Sequence, residues 1–219
     1  MIKAVVFDMD GVVVNSERLY QKAEKRLFKE YGVTIPNEDW KLFRGCGEAE
    51  FFQLVRERYG INESPDTLRR KGQSYILVEF DANLNFNDGF QELHRQLDGR
   101  YQLGLVTSTP GELFQWLDQR LELRGYFHEV IHGGMTTNTK PHPEPYLEMM
   151  RRLDVKPEET VVIEDSIHGL NSALAAGAWA IALTGTIPRK DLPSVNMMVD
   201  SLAELTPTLL DELSEIKHL

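Results

Sequence analysis

Short apolar runs recur along the chain at a rhythm that only a few architectures can satisfy. "IKAVVF" (2–7), "YQLGLVT" (101–107), "TVVIED" (160–165) and "AWAIAL" (178–183) are the clearest, and "HEVIH" (128–132) is a weaker fifth. Every run after the first is preceded by a stretch of helical spacing. Phe90, Leu93 and Leu97 share one helical face, as do Leu113, Trp116 and Leu117, and then Tyr146, Met150 and Leu153. In "TPGELFQWL" Thr109 reads as an N-cap, with Pro110 at the first helical position and Glu112 closing a capping box. "DSIHGLNSALAAG" starts at a Ser cap and stops at Gly177. Continuous apolar strands alternating with amphipathic helices predict an α/β fold, a Rossmann-like parallel sheet with helices on both faces.

One interval breaks the rhythm. More than 90 residues separate the first and second runs, and most of them read as helix. Leu19, Ala23, Leu27 and Tyr31 form an i, i+4 stripe, followed by "EAEFFQLVRERYG" and "SPDTLRRKGQSYILVEF". A single crossover needs far fewer residues. The expected organisation is a core of residues 1–15 plus 84–219 and a helical insert of residues 16–83, joined near 12–16 and through "DANLNFNDG" (81–89). Tyr20, Phe43, Phe51, Phe52 and Tyr75 then read as the insert's own core.

Composition excludes several classes. At 219 residues, 42% hydrophobic and 26% charged, the chain is an ordinary globular one. A net charge of −10 disfavours nucleic acid and anionic membrane surfaces, which bind through Lys and Arg. Cys46 is the only cysteine, so no internal disulfide forms. The start, "MIKAVVFDMDG", has no signal-peptide pattern, and no apolar run approaches the length of a membrane span. The expectation is a cytoplasmic protein, monomeric or weakly dimeric.

In open parallel sheets, sites gather at the carboxyl ends of the strands. Asp8 and Asp10 follow the first run, Thr107 and Ser108 the second, and Glu164 and Asp165 the "TVVIED" run, while Lys140 stands in the loop "NTKPHPEPY". Four carboxylates against one lysine leave an excess of negative charge. One hard divalent cation and one protonated acid would neutralise it, and oxygen donors suit Mg²⁺. Gly11 allows the sharp turn after Asp10. These parts imply phosphoryl transfer. Asp8 is the nucleophile, giving an acyl phosphate. Asp10 gives a proton to the leaving oxygen and later takes one from water. Lys140, Thr107 and the neighbouring N–H groups hold the phosphoryl oxygens. The metal set is Asp8, Asp10, Asp165 and Glu164. For Glu164 two roles stay open, direct ligand or a partner behind the ligands.

The motifs "DMDGVVVNSE", "LVTST", "KPHPEPY" and "VVIEDSIHG" stand in this order over nearly the whole chain. Through them the sequence resembles the haloacid dehalogenase-like hydrolase superfamily, in the helical-cap branch of beta-phosphoglucomutases and phosphoglycolate phosphatases. The resemblance implies Asp8 as nucleophile, Asp10 as acid/base, Thr107 and Lys140 on the phosphate, and Asp165 with Glu164 at the metal. It implies a Mg²⁺-dependent phosphatase of a small phosphorylated metabolite, with the cap closing over the substrate. Members that cleave carbon–halogen bonds lack an equivalent of Asp10. The sugar-phosphate mutases carry His and Arg where this chain has Tyr20 and Glu48, and Glu48 would repel a second phosphate unless Arg44, Lys71 or Arg69 compensates. Asn15 replaces a usual Asp. Asn15, Tyr20, Arg44, Glu48 and Lys71 are the candidate specificity residues. Two other readings are a phosphomutase, revealed by a bisphosphate requirement, and a non-catalytic phosphate-binding regulator. "HEVIH" matches the zinc-protease pattern in letters, but on a strand its histidines lie about 13 Å apart.

Overall fold

The computed structural model describes residues 1–36, 39–40, 48–185 and 187–213. Its sheet has six parallel strands: β1 (Ala4–Phe7), β2 (Gln102–Pro110), β3 (Glu129–Gly133), β4 (Thr160–Glu164), β5 (Trp179–Leu183) and β6 (Met197–Val199). They lie in the order β3-β2-β1-β4-β5-β6. β6 is an edge strand of three residues that the apolar runs did not announce. Five helices belong to the same unit: α4 (Phe90–Leu97), α5 (Gly111–Leu121), α6 (Glu144–Arg152), α7 (Ile167–Ala175) and α8 (Pro207–Leu213). Both faces of the sheet are covered. Ala4 and Val6 of β1 pack with Tyr146, Met149 and Leu170 of α6 and α7. On the other face Phe7 meets Phe90 of α4 edge-on, 5.8 Å between centroids.

This order puts the reversal of the chain's winding at β1. The chain goes outward from β1 to β2 and β3, then returns to lay β4 on the other side of β1. The crevice outside the carboxyl ends at such a reversal is where α/β sheets bind ligands. The register makes the placement definite. Phe7 pairs with both Leu105 and Ile163, and the Asp8 N–H donates to Ile163 O at 3.0 Å. Asp8 and Glu164 therefore leave adjacent strands side by side.

Contacts divide the chain into two compact units, Met1–Val14 with Phe86–Leu219, and Asn15–Asn85. The second unit holds α1 (Ser16–Glu30), α2 (Glu48–Tyr59) and α3 (Pro65–Asn83). Ser64 caps α3 by accepting the Thr67 N–H at 3.1 Å, with Pro65 at the first position. Helix α3 runs to Asn83, three residues into the segment read as a connector. Leu27, Phe28, Phe51, Phe52 and Leu68 form this unit's core, with Tyr75 packed against it. Gly72 lets α3 approach Phe52, where a Cβ would sit at 3.0 Å. Phe43, Arg44 and Cys46 lie outside the described residues, as does the side chain of Glu48.

Each unit ties its own chain ends together. Val14 bridges Phe86 in antiparallel fashion, and the Asn87 N–H donates to Val13 O at 2.8 Å. In the other unit the Asn15 N–H donates to Asn85 O, and the Asn85 N–H donates to Asn15 Oδ1, both at 3.1 Å.

Candidate active site

Asp8 stands just past β1, and Glu164 ends β4. Lys140 reaches them from the loop between β3 and α6. Its ammonium group has three N–H bonds, and three acceptors surround it: Asp8 Oδ1 at 2.6 Å, Glu164 Oε1 at 2.7 Å and Val106 O at 3.0 Å. The lysine side chain is only 6% exposed and that of Glu164 is fully buried. Glu164 is saturated with donors. Oε1 also accepts from the Tyr146 hydroxyl at 3.0 Å, and Oε2 accepts from the Asp165 N–H, the Ser166 N–H and the Ser166 hydroxyl, each at 3.0 Å. Gly169 makes room for it, since a Cβ there would fall 1.6 Å from Glu164 Oε1.

Burial, the charge of Glu164 and, more weakly, the charge of Asp10 push the Asp8 carboxyl up to about 8, against the opposing pull of Lys140. Burial alone would lower the lysine, yet Asp8 and Glu164 carry it well above its usual value, so it stays charged. Burial and Glu164 raise the Tyr146 phenol, which stays a donor.

Asp8, Glu164 and Asp165 are all buried, and each offers a carboxylate oxygen within 4.8 Å of the others. Among the described residues no other group of His, Cys, Asp or Glu gathers in this way. Three hard oxygen donors, with enough negative charge to protonate one of them near neutrality, fit a divalent cation such as Mg²⁺. Gly11, at φ 77°, turns the chain beneath this trio, where a Cβ would lie 2.1 Å from Asp165 Oδ2.

Asp10 was expected in the same metal set, but its side chain is not part of the trio. Its Oδ2 instead accepts from the Thr109 hydroxyl at 2.7 Å and, at a longer 3.4 Å, from the Thr107 hydroxyl. Thr109 corrects the sequence reading. It is not a helix cap, because α5 begins at Gly111 and its cap position is Pro110, with no side-chain bond. β2 runs three residues farther than the apolar pattern suggested, and Thr109 is buried in it. Between the pairs Val106–Ile131 and Pro110–Gly133 the register slips, so Thr107, Ser108 and Thr109 lie opposite His132 alone. Thr107 and Thr109 are buried and Ser108 between them is exposed, the alternation of a strand.

Two residues with contacts here were read only as packing or capping. Tyr146 was assigned to a core stripe, although a buried phenol needs a partner, and that need is a signal the sequence carries. For Thr109 the capping signature pointed the wrong way. The "HEVIH" histidines belong to the strand region instead: His128 Nδ1 accepts the Leu103 N–H at 3.0 Å, and the His132 ring stacks on Phe114. Of the specificity candidates, the Tyr20 ring meets Phe80 edge-on at 5.2 Å, and Lys71 donates to the Tyr31 hydroxyl at 2.8 Å.

The chain is similar to known proteins over most of its length. A phosphorylated carbohydrates phosphatase of Thermotoga maritima is 34% identical over 177 residues, which cover 80% of this chain and 82% of that protein. A validoxylamine A 7'-phosphate phosphatase of Streptomyces hygroscopicus subsp. limoneus is 27% identical, covering 94% of this chain and 96% of that one. The crystal structure of a beta-phosphoglucomutase from Clostridium difficile superposes with a TM-score of 0.78 over 99% of both chains, at 21% identity, which bears on the fold alone. The family model described as haloacid dehalogenase-like hydrolase matches residues 5–183, a span holding Asp8, Asp10, Thr107, Lys140, Glu164 and Asp165. The chain belongs to the haloacid dehalogenase-like hydrolase family.

Proposed function

We propose that the chain is a Mg²⁺-dependent phosphatase of small phosphorylated metabolites, working through an aspartyl phosphate on Asp8. The observation that carries this reading is the buried Asp8–Lys140–Glu164 array, with a second aspartate, Asp10, held two residues farther on by threonine hydroxyls. Lys140 fixes Asp8 through Oδ1. In the first half-reaction an Asp8 oxygen bonds to phosphorus, the ester P–O bond breaks, and Asp10 gives its proton to the leaving oxygen. In the second, water loses a proton to Asp10 as its oxygen bonds to phosphorus, and the Asp8 O–P bond breaks to release phosphate. Thr107 and the exposed segment at Ser108 are assigned to the phosphoryl oxygens. Asp8 and Asp165 would hold Mg²⁺. Glu164, saturated by five donors, is assigned mainly to placing Lys140 and the turn into α7. The bound cation supplies positive charge that offsets repulsion between Asp8 and the phosphate dianion.

The relatives' names support a phosphorylated carbohydrate as substrate. Substrate choice is assigned to residues 16–83. Tyr20 stands where the resembled mutases carry a histidine and is engaged with Phe80, which supports water rather than a second sugar hydroxyl as acceptor.

The test is phosphate release from sugar phosphates, phosphoglycolate and nucleotides, with Mg²⁺ and with EDTA, in wild type and Asp8→Asn. Release that needs Mg²⁺ and disappears in the variant is the expected result. No release from any substrate, with turnover appearing only when a sugar bisphosphate is added, would replace the phosphatase by a mutase. No turnover in either case would leave a phosphate-binding protein.

A further inference from the structure

The phosphatase reading needs Asp10 to act as an acid and then as a base, and a carboxylic acid has two oxygens that must take different parts. One carries the proton, and the other accepts hydrogen bonds. Thr109 is buried at the register slip in β2, and its hydroxyl donates to Asp10 Oδ2 at 2.7 Å. The Thr109 backbone N–H donates to the Thr107 hydroxyl at 3.0 Å. That contact uses a Thr107 lone pair and leaves the Thr107 hydrogen to point at the same Oδ2, at 3.4 Å. Thr109 is the closer donor to this oxygen, and the Thr107 hydroxyl, assigned to phosphate, turns its single hydrogen to a phosphoryl oxygen when substrate binds.

We propose that Thr109 is a positioning residue for the acid/base step. By donating to Oδ2 it fixes the Asp10 side chain in the orientation from which it delivers and later takes back a proton. The proposal rests on the phosphatase reading. During phosphorylation of Asp8, the Asp10 proton passes to the ester oxygen as its bond to phosphorus breaks, and Asp10 becomes a carboxylate. During hydrolysis of the aspartyl phosphate, a proton of the attacking water returns to Asp10. Thr109 itself gains and loses nothing. Thr109 is 7% exposed, so water is a poor substitute for its hydroxyl.

The variants are Thr109→Val, which keeps shape and loses the donor, and Thr109→Ser, which keeps the donor. Each is assayed with a sugar phosphate and with p-nitrophenyl phosphate, whose leaving group needs little help from an acid. The readout is kcat/KM, because it ends at the first P–O cleavage and so reports proton delivery to the leaving group. The expected result is a loss of roughly tenfold or more for Thr109→Val on the sugar phosphate, with less than about a twofold change on the aryl phosphate. Thr109→Ser should stay near wild type on both. An equal loss on both substrates, with or without a lowered melting temperature, would show that Thr109 only shapes the site and would overturn the proposal. No loss on the sugar phosphate would overturn it too, as would Thr109→Ser falling as far as Thr109→Val. Wild type inactive on both substrates is the separate result that removes the phosphatase reading itself.

Discussion

Lys140 shows how one residue can set the character of a site. All three of its N–H bonds are used, two of them on carboxylates, and it still leaves Asp8 with a carboxyl raised to about 8. The sign of the consequence follows from linkage. In the unfolded chain this group ionises near its ordinary value of 3.8. Between that value and about 8 the folded protein holds a proton that the unfolded chain has lost, so the metal-free protein loses stability from Asp8 as pH rises through that window. A cation bound by Asp8 displaces the proton. The rise in melting temperature caused by Mg²⁺ should therefore be larger at about pH 8.5 than at about pH 6, and Asp8→Asn should flatten the difference. Melting curves with Mg²⁺ and with EDTA at the two pH values decide it, and an equal Mg²⁺ effect at both would contradict it. Asp8, Lys140 and Asp165 stood out in the sequence because they fall within motifs that recur in order at strand ends; alone, Lys140 reads as an ordinary loop lysine and Asp165 as the residue before a capped helix. Tyr146 and Thr109 did not stand out. Each has a common structural use, core stripe and helix cap, and only the third dimension shows where the hydroxyl points.

At the scale of elements, β2 is the strand to perturb. Opposite Thr107–Thr109 its partner β3 supplies a single residue, and Gly133 closes the slip. A Cβ on Gly133 would lie 2.6 Å from Ser108 O and 3.0 Å from Thr109 O, both backbone atoms with nowhere to retreat. Gly133→Ala should lower stability by about 1–3 kcal/mol, the usual cost of overpacking. It should also reduce phosphate release, because the backbone that must shift carries Thr107 and Thr109. Denaturant unfolding and phosphate release, measured together, test this; a variant with wild-type stability and turnover would show that the slip is not rigid. Strands β1, β2, β4 and β5 could be read from apolar runs, since a strand buried on both faces has no need of polar residues; β3, an edge strand half-exposed at both ends, gave only a weak run. β6 could not be read. Three residues at a sheet edge, half-buried at Met197 and Met198, leave no run to detect. The slip in β2 was hidden for another reason: "TPGE" is a sound start for a helix, and pairing with β3 prevailed over that local preference.

For the whole molecule, an interval too long for one crossover suggests a helical insert at 16–83, and contacts divide the chain into Asn15–Asn85 and the rest. The structure adds how each unit finishes its ends. Because Val14 and Phe86 pair as neighbours in an antiparallel bridge, a two-residue Asn-Gly turn is long enough to join them. A chain lacking residues 15–85 and closed in that way should keep its circular dichroism signature of strand and helix and unfold cooperatively. Loss of a cooperative transition would mean that the sheet unit depends on the helical one for its fold. Among the described residues no helix is long and apolar enough to cross a membrane.

The pairing of Asn15 with Asn85 has a reach beyond stability. Two backbone segments leave the sheet unit next to one another and are clasped again where the helical unit begins. Such a junction is a splice point. Because the chain ends meet at this junction, the sequence between the two asparagines can change in length without rerouting the strands of the sheet.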